Sequence, residues 1–217
     1  MSAPICYLTR ALIGSRTVYA RGLHDAYDWH QLVWKAFPGR DGEVRDFLTR
    51  LDDKPSGTQL LIISPTEPTR PDWLSEQDEW ESKAIPLSFF QPRRYRFQLH
   101  ANPTIKRVVR DASGVRKKGG KREAIKGEAE LRAWLQRKGE AGGFRLPDSA
   151  PPEVFSDVSV FSKKPKTGQS MNGTHGAVDF SGILEVTDPA LFFTHTFTKG
   201  IGTAKAFGFG LLVLAPL

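Results

Sequence analysis

Strict alternation of apolar and polar residues marks the stretch 94–101. The apolar positions are Tyr95, Phe97, Leu99 and Ala101, and the polar positions are Arg94, Arg96, Gln98 and His100. Successive side chains of a β-strand point to opposite faces of the sheet. The pattern therefore predicts a strand with one buried face and one basic face.

A spacing of three and four residues marks the segment 26–37 and predicts a helix. Asp25 precedes it as a suitable N-cap, and a Pro-Gly pair follows it. The apolar stripe expected to face the core consists of Ala26, Trp29, Leu32, Val33, Ala36 and Phe37. Tyr27, His30 and Trp34 form a second row beside this stripe. We expect these three side chains to be half-exposed and within reach of one another.

The remaining pattern of the first half predicts four strands and a second helix. Short apolar runs bounded by turn residues are typical of strands. Such runs cover residues 5–13, 46–51, 58–64 and 82–87, and a short acidic helix is expected at 72–79. The predicted order is therefore strand, helix, strand, strand, helix, strand.

The second half repeats this order, beginning with the alternating strand. Further elements are predicted at 128–138 (helix), 154–161 and 177–186 (strands), from the N-cap Asp188 to about 198 (helix), and at 207–214 (strand). Both halves fit the βαββαβ ferredoxin-like unit, which is also the scaffold of the RNA-recognition motif. We therefore expect an α+β protein with two tandem ferredoxin-like domains, at residues 1–91 and 92–217.

Composition points to a polyanionic partner. The chain has 217 residues, 39% of them hydrophobic, and its 31 Lys and Arg against 24 Asp and Glu give a net charge of +7. Nucleic acid is the natural partner for this balance, although a merely basic surface would give the same count. The single Cys6 fits a reducing compartment, and no apolar run is long enough to span a membrane. We therefore expect a cytoplasmic protein without a membrane segment.

Two segments are candidates for contacting phosphate. A cationic loop at 107–122 either binds nucleic acid or is only solvated. Its basic residues are Arg107, Arg110, Arg116, Lys117, Lys118, Lys121 and Arg122. The connection 200–210 places Gly200, Gly202, Gly208 and Gly210 around Lys205. These glycines can present backbone N–H groups to phosphate, but a tight turn under a strand would use them equally well.

Few residues suit metal or nucleophilic catalysis. The five histidines and one cysteine show no zinc-ligand spacing, and acidic pairs such as Asp52-Asp53 favour solvated charge over a two-metal nuclease site. Tyr27 and His30 remain as the candidate catalytic residues. Metal-free cleavage of RNA needs one group to accept the 2′-hydroxyl proton and another to protonate the leaving 5′-oxygen, and imidazole suits either task. A packed or surface histidine is the structural alternative.

Four stretches stand in an order and spacing that carry a family resemblance. They are 27–32 with 34–38, 94–103, the helix end 133–138, and the two Gly-x-Gly pairs of 200–210. Together they resemble CasE, the CRISPR-associated repeat-processing endoribonuclease of the type I-E Cascade complex. The resemblance spans nearly the whole chain.

The resemblance implies cleavage of precursor CRISPR RNA at the 3′ base of the repeat stem-loop, with no metal and no cofactor. The products would carry 5′-hydroxyl and 2′,3′-cyclic phosphate ends, and the enzyme would stay on the guide RNA beside other Cascade subunits. The family's catalytic residues fall on His30 and Tyr27, and its glycine-rich loop falls on 200–210. Its basic hairpin resembles 161–173. The candidate RNA contacts there are Lys163, Lys164 and Lys166.

Two departures from the family pattern matter. Thr203 stands where relatives often have proline, which is expected to loosen the glycine turn. The hairpin offers lysines and no arginine, so we expect phosphate contact there rather than bidentate reading of guanine. Arg94, Arg96 and the loop 116–122 would then carry more of the RNA binding. A non-cleaving RNA-binding module and a metal-dependent nuclease are the competing interpretations.

Overall fold

The protein is described by a computed structural model that covers residues 6–40, 42–91, 93–107, 113–114, 121–163 and 171–217. These residues form a mixed α and β structure with two main antiparallel sheets and a separate two-stranded ribbon. Residues from the first half of the chain build one sheet, and residues from the second half build the other. The described helices include none that is long and apolar enough to cross a membrane.

The first sheet contains four strands in the spatial order β2-β3-β1-β4. Their bounds are β1 (Cys6–Gly14), β2 (Leu48–Lys54), β3 (Gly57–Ser64) and β4 (Glu79–Ile85). The central strands pair from Tyr7 with Ser64 to Gly14 with Gly57. The four predicted strands are confirmed, with ends shifted by a few residues.

Helix α1 (Ser15–Ala20) and helix α2 (Ala26–Val33) follow β1, and a 3-10 turn (Trp34–Ala36) extends α2. The predicted N-cap of α2 is confirmed, because Asp25 accepts hydrogen bonds from the amides of Tyr27 and Asp28 at 2.8 and 3.0 Å. Asp28 in turn accepts from the Asp25 amide at 3.3 Å, which completes a capping box. Six-residue α1 has no side-chain cap and was not predicted.

The acidic helix predicted at 72–79 is wrong, because residues 72–78 form turns and Glu79 begins strand β4. The buried carboxylate of Asp78 accepts hydrogen bonds from the amides of Ser75 and Gly14, each at 2.8 Å. An aspartate that bonds nearby amides in this way competes with helical hydrogen bonding. The segment is therefore held at the end of β1 by hydrogen bonds and does not form a helix.

The second half begins with the alternating strand β5, which the structure confirms. The apolar side chains of β5 are at most 1% exposed, and Arg94, Arg96 and Gln98 are exposed. The strands here are β5 (Arg94–Ala101), β6 (Thr104–Arg107), β7 (Lys121–Ala124), β8 (Phe144–Arg145), β9 (Glu153–Lys163), β10 (Met171–Val186) and β11 (Leu212–Pro216). The sheet order is β11-β5-β10-β8, with β9 also paired to β10.

Two helical segments accompany this sheet, as predicted. Helix α3 (Glu128–Gly142) runs beyond the predicted end at 138 and stops at Gly143, whose φ of 79° suits a glycine C-cap. Helix α4 (Pro189–Leu191), capped by Asp188, continues as a π-helical turn (Phe192–Phe197).

Two predictions for the second half need correction. The last strand starts at Leu212 rather than at 207, because Phe207 ends a 3-10 turn (Lys205–Phe207) and Gly208 and Gly210 have positive φ. Arg107, Lys121 and Arg122 lie in the paired strands β6 and β7 rather than in a loop. Arg110, Arg116, Lys117 and Lys118 lie outside the described residues.

Two apolar clusters hold the fold together. One fills the space between the first sheet and helices α1 and α2, and includes Ile13, Trp29 and Ile62. The other joins the opposite face of the first sheet, through Ile63, to Phe90 of a 3-10 turn (Leu87–Phe90) and to the inner face of the second sheet. The second cluster therefore contains side chains from both halves of the chain.

Candidate functional site

Helix α2 presents the predicted row of Tyr27, His30 and Trp34. All three side chains are half-buried, as expected, and the core-facing stripe packs inward through Trp29 and Val33. The rings of His30 and Trp34 meet edge to face with centroids 6.4 Å apart. Tyr27 lies one helical turn before His30, where Cβ atoms are about 5–6 Å apart.

The electrostatic surroundings of His30 favour the neutral imidazole. Burial lowers the pKa of His30, and the positive charge of Arg45 lowers this pKa further. A neutral imidazole can accept a proton, and the imidazolium formed is then a readier acid than free histidine. His30 is thus equipped for either direction of proton transfer.

The glycine connection is built on positive φ angles, as the sequence predicted. Gly200, Gly202, Gly208 and Gly210 have φ of 71°, 91°, 86° and 90°. The amides of Gly200 and Gly210 donate to the carbonyls of Thr196 and His100 at 2.8 and 2.7 Å, and the Gly208 amide donates to Lys205 at 3.4 Å. Gly202 is the one of these four glycines whose amide has no partner among the described residues. Three of the four glycine amides are therefore committed to protein carbonyls, two of them outside the connection.

Thr203 fastens this loop rather than loosening it. Its hydroxyl donates to the side-chain oxygen of buried Asn102 at 2.7 Å and lies 3.1 Å from the Asn102 carbonyl oxygen. The Asn102 amide group donates to the Gly176 carbonyl at 2.8 Å. The loop is thereby tied to the end of β5 and to β10.

Replacing Thr203 with Val is expected to lower the free energy of unfolding by about 1–3 kcal/mol, because buried Asn102 loses its donor. Urea unfolding of the purified variant measures this loss. Thr203→Ser keeps the hydroxyl and is expected to lose clearly less. An unchanged free energy of unfolding in Thr203→Val would contradict the assignment, because valine keeps the methyl group and lacks only the hydroxyl.

Lys205 brings positive charge to the loop. Its half-buried amine has a lowered pKa, mainly through burial and further through the charges of Lys138 and Lys199. The charges of Lys199, next to the connection, and of Lys138 on α3 thus act on Lys205, and such a concentration of positive charge suits a phosphate. The turn Lys205–Phe207 also packs against helix α2 and strand β2, so the structure brings the glycine loop to the helix that carries His30.

The predicted basic hairpin starts beside the same helix. Strands β9 and β10 pair up to Lys163 with Met171, and α2 packs against β9. Lys164 and Lys166 lie outside the described residues, as does the connection between the strands.

Arg94 and Arg96 are exposed on β5 but stand apart from the loop. Arg94 forms an ion pair with Glu185 at 3.4 Å. His100, at the other end of β5, stacks on Phe209 of the glycine connection with ring centroids 4.6 Å apart. Six residues of extended strand separate Arg94 from His100 by about 20 Å. Arg122, on β7, is likewise exposed.

The sequence did not single out Arg45 or Asn102 as parts of this site. Arg45 lies in an irregular segment before β2, and Asn102 follows the last alternating residue of β5. Neither belongs to a periodic pattern or to a glycine motif. Their partners, Lys205 and Thr203, lie about a hundred or more positions away in the sequence.

Other features of the described chain lie away from this arrangement. A cavity of about 870 Å³ lies between α1, the turn joining β2 to β3, and the segment 73–79, and no predicted site residue lines it. Among the described residues, no group of three His, Cys, Asp or Glu side chains is placed to hold a metal ion.

Comparison with known proteins identifies the family. A family model described as CRISPR associated protein matches residues 6–216, so the chain belongs to this family. It is 33% identical over 221 residues to the CRISPR-associated endoribonuclease Cse3 of Thermus thermophilus, covering 97% of this chain and 100% of the relative.

Two further relatives agree. The CRISPR system Cascade subunit CasE of Escherichia coli is 33% identical over 213 residues, covering 94% of this chain and 98% of the relative. A solved structure of CRISPR endoribonuclease Cse3 bound to a 19-nucleotide RNA has a TM-score of 0.72 at 32% identity, covering 98% of this chain and 100% of that one. The predicted resemblance to CasE is confirmed.

Proposed function

We propose that the protein is a metal-independent endoribonuclease that cleaves precursor CRISPR RNA at the 3′ base of the repeat stem-loop. The observation that carries this proposal is the packing of the Lys205–Phe207 turn against the helix with Tyr27 and His30. It joins proton-transfer groups to a cationic loop. Two relatives that match nearly the full length of the chain support it, because one is named an endoribonuclease and the other a Cascade subunit.

The chemistry is an internal transesterification. The 2′-hydroxyl attacks the adjacent phosphorus, the bond from phosphorus to the 5′-oxygen breaks, and a 2′,3′-cyclic phosphate and a 5′-hydroxyl result. His30 either accepts the 2′-hydroxyl proton or protonates the leaving oxygen, and Tyr27 orients the nucleophile or shares the proton. Lys205 and the Gly202 amide, which has no partner among the described residues, hold the RNA backbone near the reacting phosphate in this proposal.

RNA recognition in this proposal relies on phosphate contacts. The A-form major groove is deep and narrow, so a stem is recognised mainly by shape and backbone. The hairpin lysines Lys163, Lys164 and Lys166 contact the stem, and the exposed arginines on β5 and β7 extend the basic surface. The contributing residues on β5 and β7 are Arg94, Arg96, Lys121 and Arg122, with Arg116, Lys117 and Lys118 between β6 and β7 in the sequence.

We further infer two ferredoxin-like domains, residues 1–91 and 92–217. In the first sheet the strand order β2-β3-β1-β4 places β1 and β3 centrally, as in the split βαββαβ unit, with the second helix missing. In the second sheet β11, β5, β10 and β9 repeat that order. The protein would act in the cytoplasm, bound to its guide RNA beside other Cascade subunits.

Incubation of the wild-type protein with a 5′-labelled CRISPR repeat hairpin in EDTA tests the function. One cut at the 3′ base of the stem is expected. The downstream product should accept phosphate from polynucleotide kinase without prior phosphatase, and acid treatment should open the cyclic phosphate of the upstream product. Binding without any cut in EDTA would contradict the proposal. Restoration of the cut by added Mg²⁺ would then identify a metal-dependent nuclease, and no cut in either condition a binding module.

A further inference from the structure

Arg45 connects the glycine loop to the first half of the protein. Its Nη1 donates to the carbonyl oxygen of Lys205 at 2.8 Å, and its Nη2 donates to Thr49 on β2 at 3.2 Å. The guanidinium carbon lies 4.8 Å from the ring centre of Phe47. One side chain thus connects the turn that carries Lys205 to strand β2.

An aromatic path continues from Arg45 to His30. The Phe47 ring meets Trp34 edge to face at 4.9 Å, and Trp34 meets His30 in the same way at 6.4 Å. These rings fix the distance between the guanidinium and the imidazole through direct packing. A shift of the Arg45 side chain would therefore change the position of the His30 ring.

Arg45 has no acidic partner among the described residues, which is unusual for an arginine that only stabilises a fold. Its hydrogen-bond acceptors are a carbonyl and a hydroxyl, none of the ion pairs between described residues includes it, and its buried Nε has no partner in the described chain. Burial lowers the pKa of Arg45 to about 10, so the group stays positive at neutral pH. A partly buried charge without a counter-ion among the described residues costs free energy, which favours a functional reason for its presence.

We propose that Arg45 is a positioning residue for RNA cleavage, because it holds the Lys205–Phe207 turn against the helix that carries Tyr27 and His30. The inference rests on the proposed function. It adds the group that sets the distance between the Lys205–Phe207 turn and helix α2. Arg45 acts through Lys205 and His30 and does not itself touch the reacting phosphate.

The same position gives Arg45 an electrostatic effect on His30. Its charge disfavours the imidazolium, so removing it should raise the pKa of His30. Other charged residues on elements next to α2 are Lys35 in the following turn, Lys205, and Glu153 and Asp157 on β9. Of these, Lys205 is expected to move when Arg45 is lost, because Arg45 holds its turn, and moving a positive charge away also raises the pKa of His30. A shift of the pH profile to higher pH therefore reports loss of the Arg45 contact, through its own charge and through Lys205.

The test compares Arg45→Ala and Arg45→Lys under single-turnover conditions with a labelled repeat hairpin. Arg45→Ala should cleave about 10–100-fold more slowly, because small misplacements of a site cost this much. RNA affinity should stay within about threefold, since Arg45 acts on geometry and not on backbone contacts. The His30 inflection in the pH–rate profile should move to higher pH. Arg45→Lys should keep the inflection near that of the wild type, but not the rate, because an ammonium lacks the guanidinium fork.

Arg40→Ala is the matched control. Arg40 lies in the same segment, with its guanidinium 5.6 Å from the Phe37 ring, but its partners are Glu43 and Asp46 at 2.6 and 2.9 Å. It makes no contact with the glycine loop that the structure describes, so its cleavage rate and pH profile should match the wild type.

Three outcomes would overturn the inference. They are wild-type cleavage by both Arg45 variants, an equal fall in RNA affinity and in cleavage rate, and an unshifted inflection in Arg45→Ala. If Arg45→Ala does not fold, Arg45→Lys decides by its rate alone. Failure of the wild type to cleave would instead refute the proposed function, so the two failures are distinguishable.

Discussion

His30→Ala is expected to cleave a repeat hairpin about 10²–10⁴-fold more slowly than the wild type, the range that a positioned proton-transfer group contributes. RNA binding should be nearly unchanged, because the imidazole is half-buried on α2 and the cationic groups lie on the loop and hairpin. Single-turnover cleavage in EDTA, with binding measured separately by filter retention, checks both expectations.

His24→Ala is the matched control for this experiment. His24 is an exposed histidine just before the N-cap of the same helix, and its backbone amide, not its side chain, bonds Asp28. Its loss should leave the rate unchanged. A wild-type substrate with a single 2′-deoxy substitution at the scissile nucleotide should resist cleavage, since the nucleophile is missing. Cleavage by His30→Ala within about threefold of the wild-type rate would remove His30 from the mechanism.

Gly210→Ala is the second change with a large expected effect. Gly210 has a φ of 90°, and an added Cβ would lie 2.8 Å from the Ile201 carbonyl oxygen and 3.2 Å from the Ile201 nitrogen. The strained φ alone costs about 1–3 kcal/mol, and the backbone clash adds to this. We expect a lower free energy of unfolding together with at least about tenfold slower cleavage, because Lys205 lies in the displaced connection.

Gly39→Ala separates the two costs. Gly39 has a φ of 78°, but its added Cβ would meet nothing within 4 Å, so this variant measures the backbone strain without the clash. Urea unfolding of both variants gives the difference, and the repeat-cleavage rate of Gly39→Ala should equal that of the wild type. Equal destabilisation by both substitutions would show that the overlap between a Cβ added at position 210 and the Ile201 backbone costs no free energy.

Local patterns explain why much of the fold was predictable from the sequence. The alternation in β5, the spacing in α2 and the Asp25 and Asp188 caps each depend on residues within a few positions of one another. The burial of Tyr95 and the half-burial of His30 follow from the same patterns.

The parts that the sequence did not predict depend on distant contacts. Asp78 holds the segment 72–78 in turns because Gly14, 64 positions away, supplies an amide. Arg45 meets the Lys205 carbonyl 160 positions along the chain. The placement of the glycine loop against α2 has the same origin, since no local pattern relates residue 205 to residue 30.

The apolar cluster shared by the two sheets joins the two halves of the chain that carry the site. Phe90 meets Phe197 with ring centroids 5.0 Å apart, Leu48 of β2 lies where a side chain at Gly200 would sit, and the Tyr95 hydroxyl bonds the Phe89 carbonyl at 2.6 Å. These contacts join the turn 87–90 and strand β2 directly to Phe197 and Gly200, at the start of the glycine connection. Under the proposed function, the two halves that carry the site are therefore already joined before any nucleic acid arrives, and substrate binding need not expend free energy on assembling them.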